Sequence, residues 1–303
     1  MPTSCAPSSC AAPIRRKPRP PNNPLSSMKI QNLRKKIDQL DSRLLTLLNQ
    51  RAKLSAAIGQ WKLASGSHVY APDREEHLLR TLEGKNAGPM PHGALRSIYR
   101  EILSTSRACQ RPLQVACVGR ELSNAWVATR RRFGSSDNYQ SLSSLTQVIN
   151  GLSRRKLDVG VVDRPTLIAL VWEKPALAKK FAVCGDITLP ARAGRNGNGA
   201  RDVYFLLSHS PVPPTDYSKT VVALECTAAF GSVKEWQAAF SVLRRSLLHV
   251  EQIKWGKGNS KSRWLVELKG HWTADDLARK LEPVQMIRRW LIVGSYPEVP
   301  HYA

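Results

Sequence analysis

The stretch KIQNLRKKIDQLDSRLLTLLNQRAKLSAAIGQWK, residues 29–62, decides the fold of the N-terminal part of the chain. Apolar residues recur along it at alternating spacings of three and four, at Ile30, Leu33, Ile37, Leu40, Leu44 and Leu47. This heptad pattern is typical of a helix with one apolar seam. Since neither glycine nor proline lies between Met28 and Gly59, we expect one helix of ~35 residues and ~50 Å, ended by the SGSH segment at 65–68.

Two shorter helices are expected downstream. Pro72 is well placed as the first-turn proline of a helix through DREEHLLRTLEG, and a third helix spans about residues 94–109, after the breaker segment AGPMPHG. Together the long, short and medium helices make an all-α unit. The apolar seam is too long for two short helices to cover, which predicts a homodimer formed through the helices.

From Leu113 the pattern changes to alternating strands and helices, which is typical of an α/β domain. Beyond the GRNGNG segment at 194–199 and the PVPPTD segment at 211–216, the predicted order is βαββαβ, the ferredoxin-like arrangement. The expected parts are a disordered, basic, Pro- and Ser-rich tail at 1–28, a helical domain at 29–111, a single α/β lobe at 112–210 and a ferredoxin-like domain at 217–303.

Composition bears on the class of partner. The 303 residues include 46 Lys plus Arg against 23 Asp plus Glu, a net charge of +23. The basic residues form only short clusters, which argues against a nucleic-acid-binding module, whereas an anionic small-molecule substrate would account for the charge. No apolar run approaches the ~18 residues that a membrane helix needs, so we expect a soluble protein without membrane contact.

The cysteines and the tail bear on the compartment. Six cysteines lie singly in apolar stretches or in the tail, without a CxxC pair. They are expected to be reduced thiols of a cytoplasmic chain, with neither a disulfide framework nor a zinc site. The tail lacks the apolar core of a secretory signal, while a transit peptide or a start at Met28 stays open.

Two cations of the long helix are candidates for binding an anion. Arg51 and Lys62 are 11 residues apart, close to three turns, so they project from the same side of the helix, ~16 Å apart. Arg51 occupies a seam position, where a cation is costly unless an anion meets it. Arg34 is ~42 Å from Lys62 along the helix. An antiparallel partner helix would bring its own Arg34 beside them, so the site would span a dimer.

These residues resemble the helical class of chorismate mutase, in particular the mutase domain of bifunctional chorismate mutase/prephenate dehydratases. The resemblance covers about residues 30–111 and rests on LRKKIDQLDSRLLTLLNQR, GQWKLASG, VYAPDREE and IYREILSTSRACQ, with the family's spacings. It implies a three-helix domain in an intertwined dimer and a dianionic substrate, chorismate.

The resemblance also implies what each matching residue does. Arg34 of the partner subunit and Arg51 would bind the two carboxylates of chorismate, and Ser106 would help to hold one of them. Lys62 and Gln110 would donate to the ether oxygen of the breaking bond. Ser106 and Gln110 are i and i+4 on the third helix, so they share one face by helix geometry alone.

Glu75 would meet the ring hydroxyl of the substrate, with Arg74 beside it. The family usually has an acid where VYAPDREE has Ala71, and this change removes one hydrogen bond worth ~1 kcal/mol unless Asp73 or Glu75 supplies it. A Claisen rearrangement is unimolecular and needs no nucleophile, metal or redox cofactor, so no metal and no cofactor are predicted. It needs a dianion held in its compact shape and donors aimed at the ether oxygen.

The middle of the chain resembles one lobe of a prephenate dehydratase, through VACVGRELSNAWVATRRRFG and LDVGVVD. The family's motif segments are replaced, at residues 122–124, 165–168 and 200–202. The last of these should carry the dehydratase threonine and has none. Only GRNGNG stands where a second lobe is expected, so we predict that dehydratase activity is absent.

The C-terminal part, which ends in GSYP at 294–297, resembles the phenylalanine-sensing ACT domain of the same enzymes. Gly231, Ser232 and Val233 stand in place of Gly-Ala-Leu, and Glu251 is the survivor of Glu-Ser-Arg-Pro. An amino-acid effector at these four positions is the partner that the resemblance implies.

The leading hypothesis is a chorismate mutase joined to a degenerate dehydratase lobe and an ACT-like domain, in aromatic amino acid biosynthesis. One alternative is a non-catalytic regulatory or scaffold protein of the shikimate pathway, which Ala71 favours. A second is an active bifunctional mutase/dehydratase, and a third is a basic nucleic-acid module.

Overall fold

The computed structural model describes residues 24–66, 68–178, 180–189, 202–227, 230, 232–253 and 262–300. The chain divides into two compact units, Met1–Gln50 and Arg51–Ala303. The GRNGNG segment and residues 1–23, predicted as a connector and as most of a disordered tail, lie outside the described residues.

Three helices form the N-terminal part: α1 (Pro24–Ala64), α2 (Pro72–Lys85) and α3 (His92–Gln110). The predicted long helix is present, and it begins at Pro24 rather than near Met28 because proline is tolerated in a first turn. The apolar seam of α1 is open to solvent. In the first unit, the seam side chains are 48–61% exposed; they are Ile30, Leu33, Ile37, Leu40, Leu44 and Leu47. In the second unit, they are 51–67% exposed; they are Leu54, Ile58 and Trp61.

A buried ion-pair cluster holds α2 to α3. Arg96 donates to both carboxylate oxygens of Glu76 at 2.8 Å and to Glu83 at 2.6 Å. Glu76 is only 1% exposed, and a buried carboxylate without such partners would be strongly destabilising. The two helices are thereby fixed relative to each other, which positions the residues that α2 and α3 carry.

The C-terminal segment is attached to α2 through Arg80. Its Nη2 donates to the main-chain carbonyl of Glu298 at 2.6 Å, and its guanidinium carbon lies 4.4 Å from the centre of the Tyr217 ring. Its Nε donates to Glu76 at 2.9 Å.

The predicted α/β lobe follows. Its elements are β1 (Gln114–Val118), α4 (Asn124–Phe133), β2 (Asn138–Leu142), α5 (Leu145–Ser153), β3 (Val159–Asp163), α6 (Arg164–Glu173), α7 (Pro175–Ala178), β4 (Ala182–Leu189) and β5 (Asp202–Ser208). They form a mixed sheet in the order β2-β1-β3-β5-β4, in which β1 is parallel to both neighbours and β5 antiparallel to both.

Two details of the lobe differ from the sequence prediction. The pattern does not predict β2, because NYQSL is a polar edge strand with no fully buried residue and therefore no clear alternation. The stretch TLIALVWEKPALAKK, residues 166–180, has the pattern of a single helix, but the structure divides it into α6 and α7 at Lys174, since Pro175 lacks the amide proton that would continue α6.

The C-terminal part has the predicted βαββαβ order. Its elements are β6 (Ser218–Cys226), α8 (Val233–Ala239), β7 (Leu247–Ile253), β8 (Ser262–Lys269), α9 (Ala274–Leu281) and β9 (Ile287–Pro297). The antiparallel sheet has the order β7-β8-β6-β9, as in a ferredoxin-like domain. The helix predicted at 233–246 is shorter, because a 3₁₀ turn at Ser241–Leu243 follows it.

The lobe and the ferredoxin-like domain meet along β4 and β9. A Cβ on Gly294 would lie 2.4 Å from the carbonyl oxygen of Val183, so only glycine permits this approach. Nearby, the buried ammonium of Lys219 lies 3.2 Å from Asp186 of β4 and 2.9 Å from Glu267 of β8. None of the described helices is long and apolar enough to cross a membrane.

Candidate functional site

Arg51 of α1 points toward α3. Its Nη1 donates to the Ser106 hydroxyl and to the main-chain carbonyl of Ile102 at 3.4 Å. The Ser106 hydroxyl in turn donates to the same carbonyl at 2.6 Å. Burial lowers the pKa of Arg51, and Tyr99 and Glu75 act in the opposite direction. The structure thus brings together two of the three side chains predicted to bind the carboxylates, and the third, Arg34, was predicted to come from a partner subunit.

Lys62 lies at the C-terminal end of α1. Its Nζ donates to the main-chain carbonyl of Val69 at 3.1 Å, in the loop before α2. Burial lowers the pKa of the Lys62 ammonium, while the charges of Glu75 and Asp73 raise it in part. Glu75 therefore acts electrostatically on both Arg51 and Lys62, which places the three charges in one neighbourhood.

Gln110, the last residue of α3, packs against α1 at Gly59. A Cβ on Gly59 would lie 2.6 Å from the Gln110 Cα and 2.8 Å from its Cβ, so the two helices are in direct contact there. The Oε1 atom of Gln110 is buried and has no hydrogen-bond partner among the described residues. Buried polar atoms in native proteins usually have a partner, so such an atom is available to a ligand.

Glu75 of α2 is held from the other side by Arg107 of α3. Arg107 Nη1 donates to Glu75 at 2.7 Å, and its Nη2 donates to Asp137 at 2.8 Å and to the carbonyl of Phe133 at 2.5 Å. This pairing fixes the Glu75 carboxylate beside Arg51 and Lys62. Arg74, the neighbour of Glu75, is exposed.

Arg34 belongs to the first unit, where its side chain is exposed. Its predicted role depends on a second subunit. Ala71, at the position of the expected acid, is the residue before α2 and provides no side-chain cap for that helix.

Two of the four residues predicted to bind an effector, Ser232 and Glu251, have other contacts in this structure. Ser232 caps α8 by accepting from the Glu235 amide, and Val233 is 40% exposed. Glu251 forms an ion pair with Arg164 of α6 in the lobe. Gly231 lies outside the described residues.

The sequence reasoning missed two residues that shape the site, Gly59 and Arg107. Gly59 stands in a helical stretch, where a glycine costs ~1 kcal/mol relative to alanine, so its presence signals a close approach. Arg107 lies within the quoted IYREILSTSRACQ stretch, but its acceptors Asp137 and Phe133 are distant in sequence. In the part of the chain that is described, no cluster of His, Cys, Asp and Glu could hold a metal ion.

Residues 33–111 match the protein-family model described as chorismate mutase type II. The N-terminal helical domain is therefore of the chorismate mutase type, and the resemblance inferred from the sequence is confirmed at this level.

The bifunctional chorismate mutase/prephenate dehydratase of Aquifex aeolicus (strain VF5) is 34% identical over 168 residues, which are 53% of this chain and 46% of that protein. The chain spans about half the length of the curated relatives it matches. A solved structure described as a novel type of quorum quenching acylase aligns with a TM-score of 0.46 and 17% identity, over 61% of this chain and 95% of that chain. The prephenate dehydratase of Streptococcus mutans aligns with a TM-score of 0.41 and 14% identity, over 61% of this chain and 98% of that chain.

Proposed function

We propose that this chain, whose N-terminal helical domain is of the chorismate mutase type, converts chorismate to prephenate by an electrostatically assisted Claisen rearrangement. The observation that carries the proposal is that three helices in contact with one another carry cationic, hydroxyl and amide donors together with one carboxylate. Those side chains are Arg51, Lys62, Ser106 and Gln110, with Glu75 as the carboxylate.

The reaction needs a substrate held with its two reacting ends close together. Arg51 and Ser106 would bind one carboxylate, because a guanidinium fork and a hydroxyl match its two oxygens. Arg34 of the partner subunit would bind the other. Fixing both carboxylates selects the compact conformer before the bond rearranges.

Negative charge builds on the ether oxygen as the carbon–oxygen bond lengthens. Lys62 and the Gln110 amide would donate to this oxygen, and donors already in position stabilise the transition state more than the ground state. Glu75, held by Arg107, would accept from the ring hydroxyl. No residue takes part covalently, and no cofactor is required.

The dimer part of the proposal rests on the seam of α1. Large apolar residues repeat along the helix and are about half to two thirds exposed. An exposed apolar surface of this length is typical of a protein interface, and a second copy carries the complementary seam. We therefore propose a homodimer through α1, in which each subunit supplies Arg34 to the other.

We further propose that dehydratase activity is absent. The dehydratase family has Glu-Asn-Ser-Thr after its central strand, where this chain has residues 165–168. Leu167 and Ile168 therefore stand in place of Ser and Thr, and they are 1% and 3% exposed in the hydrophobic core. Side chains buried there have no access to a substrate cleft. Asn124, in the replaced segment at 122–124, donates through its side-chain amide to Asp202, in the replaced segment at 200–202, at 2.8 Å.

A regulatory or scaffold protein without mutase activity is the second candidate, and Ala71 is the observation that favours it. An effector role for Ser232, Val233 and Glu251 stays a prediction. Glu251 could bind an effector only after its ion pair with Arg164 is broken.

The test is prephenate production from chorismate by the purified chain. Lys62→Ala should lower kcat by about 10²- to 10³-fold with a smaller change in KM, because it removes a donor to the developing oxyanion. Lys53→Ala is the control, since Lys53 lies exposed on the same helix. An inactive wild-type protein would favour the scaffold role, whereas equal activities of the two variants would contradict the role of Lys62 as donor.

Phenylpyruvate formation from prephenate tests the dehydratase part. We expect none above the uncatalysed rate. Substrate-saturable formation would contradict this part and leave the mutase proposal intact.

A further inference from the structure

A cavity of about 450 Å³ lies between α2, α3, α4 and β4. It opens on the face of α3 that adjoins the one carrying Ser106 and Gln110. Five arginines and three carboxylates line it, namely Arg96, Arg100, Arg107, Arg131 and Arg132 with Glu75, Glu76 and Asp186. The cavity is therefore strongly basic, and the pairing of its charges decides what it can bind.

The three carboxylates are already engaged in ion pairs: Glu75 with Arg107, Glu76 with Arg96 and Asp186 with Lys219. Arg96 also pairs with Glu83, and Arg107 also pairs with Asp137, so each of these two arginines has two carboxylate partners. Among the described residues, none of these carboxylates forms an ion pair with the other three arginines.

None of those three arginines forms an ion pair with a residue that the structure describes. Burial disfavours the charged form of Arg132, but its hydrogen bond to Tyr70 and the charges of Glu75 and Glu76 raise its pKa. Arg132 Nη2 hydrogen-bonds to the Tyr70 hydroxyl at 3.4 Å, and burial raises the pKa of Tyr70 to about 12, so this partner is neutral at pH 7. Arg100 and Arg131 form no ion pair or hydrogen bond with any residue that the structure describes. Burial, then Arg131 and Arg132, lower the pKa of Arg100, while Glu101 opposes them.

We propose that this cavity binds a small multivalent oxyanion, carrying phosphate or carboxylate groups, through Arg100, Arg131 and Arg132. Guanidinium forks match the paired oxygens of both groups, and cavities of roughly this volume accommodate metabolite-sized ligands. An anion there would remove repulsion that the fold otherwise contains. The inference does not depend on mutase activity.

The test is calorimetric titration of the full chain with pyrophosphate and with citrate, at constant ionic strength. We expect one saturable site for at least one of them, and Arg100→Met should weaken it by about tenfold or more, since a charged hydrogen bond to the anion is lost. Arg120→Met is the matched control, because Arg120 is exposed outside the cavity and its loss changes net charge equally.

Thermal denaturation separates loss of the site from loss of the fold. Without ligand, Arg100→Met should melt at or above the wild-type temperature, because like-charge repulsion is relieved. The same high concentration of anion should raise the melting temperature of wild type and Arg120→Met clearly more than that of Arg100→Met. If only pyrophosphate or only citrate binds, the result identifies the ligand class. If both bind, the site recognises negative charge and not one particular anionic group, which also supports the proposal. No saturable binding by either anion, or equal binding by Arg100→Met and Arg120→Met, would overturn the proposal.

Discussion

At Gly59 the main chains of α1 and α3 approach so closely that a hydrogen atom is the largest side chain that fits. Gly59→Ala places a methyl group 2.6 Å from the Gln110 Cα, a main-chain atom that cannot rotate away. Overpacking of this kind costs about 1–3 kcal/mol. We expect lower stability in urea denaturation and a fall in kcat, because the Gln110 amide is displaced from the site.

Gly84 of α2 supplies the matched control. A Cβ there would meet nothing within 4 Å, so Gly84→Ala should leave stability unchanged or raise it by up to about 1 kcal/mol. If the two substitutions behave alike, contact at Gly59 is not what positions Gln110.

Lys62 should give the mutase reaction an alkaline limit. Its proposed role requires the ammonium form, and burial lowers the pKa of this group below its usual 10.5. As the pH rises through that lowered pKa, Lys62 loses the donor proton. The fall in kcat should therefore occur at a lower pH than it would if the donor were an exposed lysine. A kcat profile that stays flat to the ordinary lysine pKa would argue against Lys62 as the donor.

Much of the candidate site was predictable at the residue scale, because helix geometry relates Arg51 to Lys62 and Ser106 to Gln110 by spacing alone. The family resemblance assigned carboxylate binding to Arg51 and Ser106 but did not predict the contact between their side chains. The Arg107 pair with Glu75 was not predicted, since its register depends on how α2 and α3 pack. The grouping of the cavity arginines could not be predicted from the sequence either, because it depends on how α3 packs against α4.

Among the elements, α3 serves two sides of the fold at once. One face presents Ser106 and Gln110 to α1, and the adjoining face carries Arg107 toward α2 and the lobe. Long helices with regular apolar spacing were well predicted, whereas the edge strand β2 and the break before α7 were not. In both cases the deciding factor is local: β2 buries too little to alternate, and one proline ends α6.

Arg107→Leu should destabilise the protein by about 3–5 kcal/mol, because Asp137 is left as a buried carboxylate without its cation. The Arg107 and Asp137 side chains are 5% and 0% exposed. Arg111→Leu is the comparison, and its pair with Asp158 is 41% and 23% exposed, so a loss below about 1 kcal/mol is expected.

The pH dependence of this loss identifies its cause. Burial already raises the pKa of Asp137 despite Arg107, and removing the cation should raise it further. An acid whose pKa is higher in the folded state costs stability as pH rises through that pKa. Urea denaturation of Arg107→Leu should therefore show a smaller deficit at about pH 4.5 than at pH 7. An equal deficit at both would point to packing alone.

At the scale of the whole molecule, the proposed site is incomplete in one subunit. Arg34→Ala and Lys62→Ala homodimers should each be nearly inactive. Mixing them in equal amounts should restore about a quarter of wild-type activity, since half of the dimers are mixed and each has one intact site. Light scattering should report a dimer throughout. No recovery after subunit exchange would mean that Arg34 acts within its own chain or not at all.

The hydrogen bond from Arg80 to Glu298 means that a helix carrying a proposed catalytic carboxylate is braced by residues more than two hundred positions later in the chain. Excising the first hundred or so residues to study the mutase alone would sever that brace. We expect the kinetics of such a fragment to reflect a loosened α2, so mutase activity should be measured on the full chain.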